Sequence, residues 1–111
     1  MSNLQLPTMS YENLSTLAVG KSGKIGYATH ISQGDKAVTV FHHGHAIALI
    51  TPGCIELNNR GYHTRTTADR LHRIATANGA GHVRIRGGVM QFVSDDGEVQ
   101  DMHGSVIAWR S

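Results

Sequence analysis

Apolar and polar positions alternate along most of this chain, and glycine-containing breaks interrupt the alternation at intervals short enough to imply hairpins. Lys24 to Ile31 and Lys36 to His42 read as two strands joined by a Ser32-Gln33-Gly34-Asp35 turn. The next connection fixes its own register. A two-residue His43-Gly44 turn pairs His42 with His45, Val40 with Ile47 and Val38 with Leu49, so that the apolar pairs fall on one face. A slip of one residue would turn that whole set to the other face. After Thr51-Pro52-Gly53, Cys54 to Asn58 reads as a further strand with Ile55 and Leu57 inward.

The period then changes. Ala68, Leu71, Ile74, Ala75 and Asn78 recur at three- and four-residue steps, with Asp69, Arg70, His72 and Arg73 mostly opposite, which predicts a helix over 67–78. Thr66 is assigned as its N-cap, with Asp69 three residues on, and Gly79 takes the left-handed position after the last turn. A helix this short is marginal alone, so it must pack on a sheet. Gly87-Gly88 next pairs Ile85 with Met90 and Val83 with Phe92, leaving Arg84, Arg86 and Gln91 on the opposite face. Asp95-Asp96-Gly97 is a turn, and Glu98 to Met102 and Ser105 to Trp109 are the last strands, broken at Gly104.

The predicted fold is therefore α+β. It is an antiparallel sheet of hairpins, about six or seven strands, with one central helix packed on one face; four strands precede the helix. Near the N-terminus, Ser10 caps a short helix that buries Leu14, Leu17 and Ala18. Otherwise residues 1–22 are read as a loosely ordered segment of a single domain, 1–111.

Length supports one core, because 111 residues are too few for two. At 40% hydrophobic and 16% charged the chain is globular in class. Only 5% is aromatic and 13 residues are Gly, so the core is modest and completion by a homodimer contact is an expectation. The lone Cys54 forms no intrachain disulfide and no zinc-type or redox spacing. No apolar run is long enough to span a membrane, and no basic-then-apolar leader starts the chain, so no membrane partner and a cytoplasmic location are expected.

Net charge is only +2, but it is unevenly placed. Arg60, Arg65, Arg70, Arg73, Arg84 and Arg86 face only Asp69 between residues 60 and 86, while Asp95, Asp96, Glu98 and Asp101 gather elsewhere. A helix start carries free N–H groups and a partial positive charge, so Thr66 and Thr67, with Arg65 and Arg70, form a candidate phosphate site. Arg84 and Arg86 extend it, and Tyr62 offers a stacking surface for a base. The structural alternative is a threonine-capped helix with solvated arginines. No glycine-rich phosphate loop is present, since Gly79-Ala80-Gly81 follows the helix.

Histidine is the other concentration of chemistry, eight residues in all, with His42, His43 and His45 at one turn. His42 and His45 are weak metal candidates because no third ligand stands at a diagnostic spacing. No cofactor is expected. Enzymatic readings lack support: Cys54, Ser94 and Ser105 have no nucleophile context, and the Asp95-Asp96 pair suits a turn better than acid–base catalysis.

The segment Gly61, Tyr62, Thr64, Thr66, Thr67, Arg70 and Leu71, preceded by Lys24-Ile25-Gly26, Thr29, His43-Gly44 and Ile47, resembles a family of small, mostly uncharacterised proteins of tailed bacteriophages and mobile elements. Tyr62 stands where that family more often has Trp, Ala68 where Lys is common, and His72 where Asn is usual; the missing lysine removes a cation from the phosphate reading. The resemblance implies a phage-type accessory protein acting in the bacterial host cell, and carries no activity or site residues with it. Two functions are weighed: non-enzymatic binding of nucleic acid or a nucleotide, and protein-binding inhibition of a host or anti-phage defence protein through a sheet edge or the acidic 95–101 segment. A third, a metal-dependent hydrolase on His42 and His45, has the least support.

Overall fold

A computed structural model describes residues 6–110. Five strands, β1 (Lys24–Gly26), β2 (Thr29–Gly34), β3 (Ala37–His42), β4 (His45–Ile50) and β5 (Cys54–Asn58), run in succession as antiparallel neighbours. Among the described residues there are two helices, α1 (Tyr11–Leu14) before these strands and α2 (Arg65–Ala77) after them. Strands β6 (Gly81–Arg86), β7 (Val89–Ser94) and β8 (Val99–Asp101) form a separate three-stranded sheet, and β9 (Ser105–Trp109) returns to pair with β5. The fold is α+β, as the periodicity predicts. The strands nevertheless number nine among the described residues and divide into two sheets, where the sequence suggested six or seven in one.

Local chemistry explains the differences. The stretch from Lys24 is broken at Tyr27-Ala28, where Ala28 turns to φ 50°. The following turn lies at Asp35-Lys36 and not over residues 32–35, because Gln33 and Gly34 continue the ladder opposite Val38 and Ala37. At the His43-Gly44 turn both residues have positive φ, 51° and 79°, which suits a tight hairpin, and His42 pairs with His45 as expected. After one further rung the register departs. Phe41 faces Ala46 but Val40 faces Ala48, so Ile47 is an extra residue in a β-bulge. Val38 consequently pairs with Ile50, and Leu49 turns outward to 38% exposure.

Helix α2 starts at Arg65, two residues before the predicted start, and its N-cap is Thr64, not Thr66. Thr64 is extended, at φ −103° and ψ 156°, and its Oγ1 accepts from the Thr67 amide. The helix ends at Ala77 with Asn78 as C-cap and Gly79 left-handed at φ 66°. It packs most closely on β6 and also touches β4. One core joins both sheets and the helices, with Met9, Leu14, Val38, Leu57, Leu71, Ile74, Met90 and Val106 all buried. Ser10 caps α1 by accepting from the Asn13 amide, as the sequence implies. Met9 and Leu14 thus belong to the core; residues 1–5 of the N-terminal segment lie outside the described residues. The β6–β7 hairpin keeps its predicted register, with Ile85 opposite Met90 and Val83 opposite Phe92, although Ile85 is 38% exposed.

Candidate ligand site at the start of helix α2

The β3–β4 turn and the start of α2, far apart in sequence, converge on one cavity. It has a volume of about 310 Å³ and is lined by His42, His43, His45 and Ile47 from the hairpin and by Tyr62, Thr64, Thr66 and Thr67 from the helix start. The bulge contributes here: the extra residue Ile47 gives the cavity apolar wall while its neighbour Ala48 keeps the core filled. Tyr62 is 47% exposed, with its ring 5.4 Å from that of His45 and its hydroxyl 3.5 Å from His45 Nε2.

The donors of the site come from the helix. The first turn of an α-helix has amides without intrahelical acceptors, and they carry the positive end of its dipole. Thr64 Oγ1 takes the Thr67 amide at 3.4 Å and donates to Thr67 Oγ1 at 3.0 Å, which leaves the first-turn amides of Arg65 and Thr66 without the cap. Thr64, Arg65 and Thr66 are exposed.

Behind the cavity lies a buried polar network. His42 is 3% exposed and its Nδ1 lies 3.3 Å from Thr29 Oγ1. Thr29 Oγ1 donates to the Tyr27 carbonyl at 2.7 Å and accepts from Arg70 Nε at 3.1 Å. Arg70, fully buried, also donates to the Tyr27 carbonyl at 3.2 Å and to Asp69 Oδ2 at 2.8 Å. Burial first, then the charge of Arg70 and the nearness of His43, push the His42 pKa down to about 4. His42 is therefore neutral at physiological pH. Its Nε2 is buried without a hydrogen-bond partner among the described residues.

The structure brings together Tyr62, Thr66, Thr67, His42 and His45, with Arg65 exposed between two lining threonines. It does not bring the other arginines to the same place. Arg70 is inside, bound as above, and not on the basic surface where helix periodicity put it. Arg84 donates from Nε to Gln91 Oε1 at 2.9 Å on β6, Arg86 is exposed at the end of that strand, and neither lines the cavity. Thr64, His43 and Ile47 also line the cavity, although the sequence assigns them no ligand-binding role; the threonine three positions before Thr67 is the available signal for the first. Among the described residues no group of three His, Cys, Asp or Glu could hold a metal ion, so His42 and His45 acquire no third ligand. Among those residues, too, no helix is long and apolar enough to cross a membrane.

A family model described as Kyanoviridae Gp96 protein matches residues 6–108. No curated protein and no solved structure matches the chain.

Proposed function

The chain belongs to the Kyanoviridae Gp96 family, a phage protein family, and we propose that it acts there as a non-enzymatic binding protein for a phosphate-bearing ligand, a nucleotide or a single nucleotide of a nucleic acid. The observation that carries this reading is the cavity at the N-terminus of α2. Its size suits one nucleotide rather than a duplex groove, since about 300 Å³ is the lower end of ordinary small-ligand sites. Free amides and the Thr66 hydroxyl supply donors for phosphate oxygens, Arg65 adds an exposed positive charge, and Tyr62 offers a partly exposed ring to a base. The burial of Arg70 and the position of Arg84 and Arg86 narrow the site to one helix turn. The host-cell cytoplasm, where nucleotides are abundant, is part of this proposal.

The test is a titration with mononucleotides and short single strands at two salt concentrations. Arg65→Ala is expected to weaken binding roughly 3- to 10-fold at low salt and to lessen its salt dependence. Unchanged affinity and salt slope in that variant would remove the charge from the argument, and no binding by the parent protein would end the reading.

A second reading rests on a different observation. Strand β9 is an edge of the larger sheet and presents Ile107 at 67% and Trp109 at 79% exposure. Between it and the Asp95-Asp96 turn lies a groove that also takes in Glu98 and Gln100. An exposed edge, a tryptophan and acidic walls suit an extended basic segment of a host or defence protein, added as a further strand. A host protein that co-purifies after nuclease treatment and is lost on Trp109→Glu would support it; retention in that variant would oppose it.

A further inference from the structure

The protons of the buried network determine what the cavity can recognise. Thr29 Oγ1 has three polar neighbours: the Tyr27 carbonyl at 2.7 Å, Arg70 Nε at 3.1 Å and His42 Nδ1 at 3.3 Å. A hydroxyl has one proton to give and two lone pairs to offer. The carbonyl can only accept, so it takes the proton. Arg70 Nε can only donate, so it occupies one lone pair. The remaining lone pair requires a donor, which assigns the imidazole proton of His42 to Nδ1. A neutral imidazole carries one N–H, so Nε2 is a bare acceptor.

That acceptor is the unfilled valence of the site. Nε2 is buried without a partner on a side chain that is 3% exposed, and a buried polar atom left in this condition is destabilising. His42 lines the cavity beside the threonines of α2. The ring of His43, exposed at the tip of the turn, lies 4.4 Å from that of His42 and 5.8 Å from that of Tyr27. The two halves of the cavity therefore ask for opposite chemistry. The helix start offers donors to an anion, and His42 accepts from a neutral donor.

We infer that the ligand is a nucleotide with a free sugar hydroxyl, whose phosphate meets the first turn of α2 while that hydroxyl donates to His42 Nε2. The inference rests on the phosphate-binding reading above and adds the sugar to it. Bare phosphate satisfies only the helix half, and a sugar lacking both hydroxyls leaves the histidine unpaired. A site built around a buried acceptor discriminates strongly against a ligand that cannot fill it. A free nucleotide and the 3′ end of an RNA share the required chemistry.

The experiment is calorimetric titration of the full chain with AMP, 2′,3′-dideoxy-AMP, inorganic phosphate and a short oligoribonucleotide with a free 3′-hydroxyl. AMP or the oligoribonucleotide is expected to bind at least ~10-fold more tightly than the dideoxy compound, and the tighter of the two identifies the source. In His42→Leu the preference for hydroxyls should vanish while phosphate affinity persists; His42→Gln, which can place an acceptor near the same point, should restore part of it. Equal affinity for AMP and dideoxy-AMP in the parent protein would overturn the sugar-hydroxyl assignment and leave phosphate binding intact. Failure of all four to bind would overturn both. Because the ligand series uses the parent protein, the result does not depend on whether the leucine variant folds.

Discussion

His42 and Arg70 show how far one residue's role depends on its depth. In sequence His42 is one of a cluster at a turn and Arg70 is one of a row of cations on a short helix. In the fold both are buried, and each is held by Thr29 Oγ1. The consequence for His42 is a pH dependence with a definite sign. Its pKa is about 4 in the fold, against about 6.5 in an unfolded chain. Between those values the unfolded state binds the proton that the folded state refuses, so stability is full above pH 6.5 and falls as the pH drops toward 4. The loss is at most about 3.5 kcal/mol, since each unit of difference corresponds to about 1.4 kcal/mol. Urea denaturation at pH 7.5, 5.5 and 4.5 would measure it. The His42→Gln variant should lose the part of the slope due to this residue; an identical slope would show that other groups carry it. Nothing in the sequence foretold this depth. A histidine next to a glycine turn is ordinarily solvated, and helix periodicity counted Arg70 with the polar face because a buried arginine is rare. The Arg70–Tyr27 and Arg70–Thr29 contacts, formed across the fold, together with the pairing to its neighbour Asp69, are what make its burial tolerable.

At the scale of single elements, the sequence was most legible where turn chemistry and alternation agree. Gly87-Gly88 and the flanking Ile85, Val83, Met90 and Phe92 define one register, and the structure has it. The His43-Gly44 hairpin was legible only as far as its second rung, because an inserted residue is invisible to alternation: Ile47 and Leu49 look alike in a strand pattern, yet Ile47 is buried and Leu49 is not. The start of α2 was missed by two residues because three threonines compete for the cap, and only the extended backbone of Thr64 settles which one serves. Gly81 illustrates a constraint that the sequence shows as a mere turn residue. It begins β6 at φ 146°, opposite Ser94, and a Cβ there would lie 2.1 Å from the Val93 carbonyl oxygen. Backbone cannot yield as a flexible side chain does. Gly81→Ala is therefore expected to cost roughly 2 kcal/mol or more and to open the first rung of β6–β7. Thermal denaturation and amide exchange at His82 and Val93, the paired residues next to Gly81, would check it; a variant as stable as the parent, with protected amides, would contradict the contact.

Across the whole molecule, the strand order makes the chain's two halves depend on one residue. Strands β5 and β9 are neighbours in the larger sheet, so α2 and the smaller sheet occupy a long excursion between them. Asn78, where α2 ends, fastens that excursion to both ends of the described chain. Its Nδ2 donates to the Met9 carbonyl at 3.0 Å and to the Ile74 carbonyl at 2.7 Å. Its Oδ1 accepts from the Tyr11 amide at 3.0 Å and from Arg110 Nε at 2.9 Å. All four bonding positions of the amide are used, in a side chain that is 2% exposed. Arg110 extends the same junction to the Pro52 carbonyl and to Glu12, whose pKa is held down chiefly by that hydrogen bond. Helical spacing placed Asn78 on the inward face without explaining an amide there; its partners lie about seventy residues upstream and about thirty downstream. Asn78→Ala leaves the Met9 carbonyl and the Tyr11 amide without their partner, and a loss of about 3 kcal/mol is expected from groups of this kind. The distribution of the loss is more informative than its size. Amides around α1 and at the Arg110 end should gain exchange together, while those of the β3–β4 hairpin keep their protection until global unfolding. If α1 loosened while the Arg110 amide stayed protected, Asn78 would be a cap for one helix and not the common fastening of the two ends.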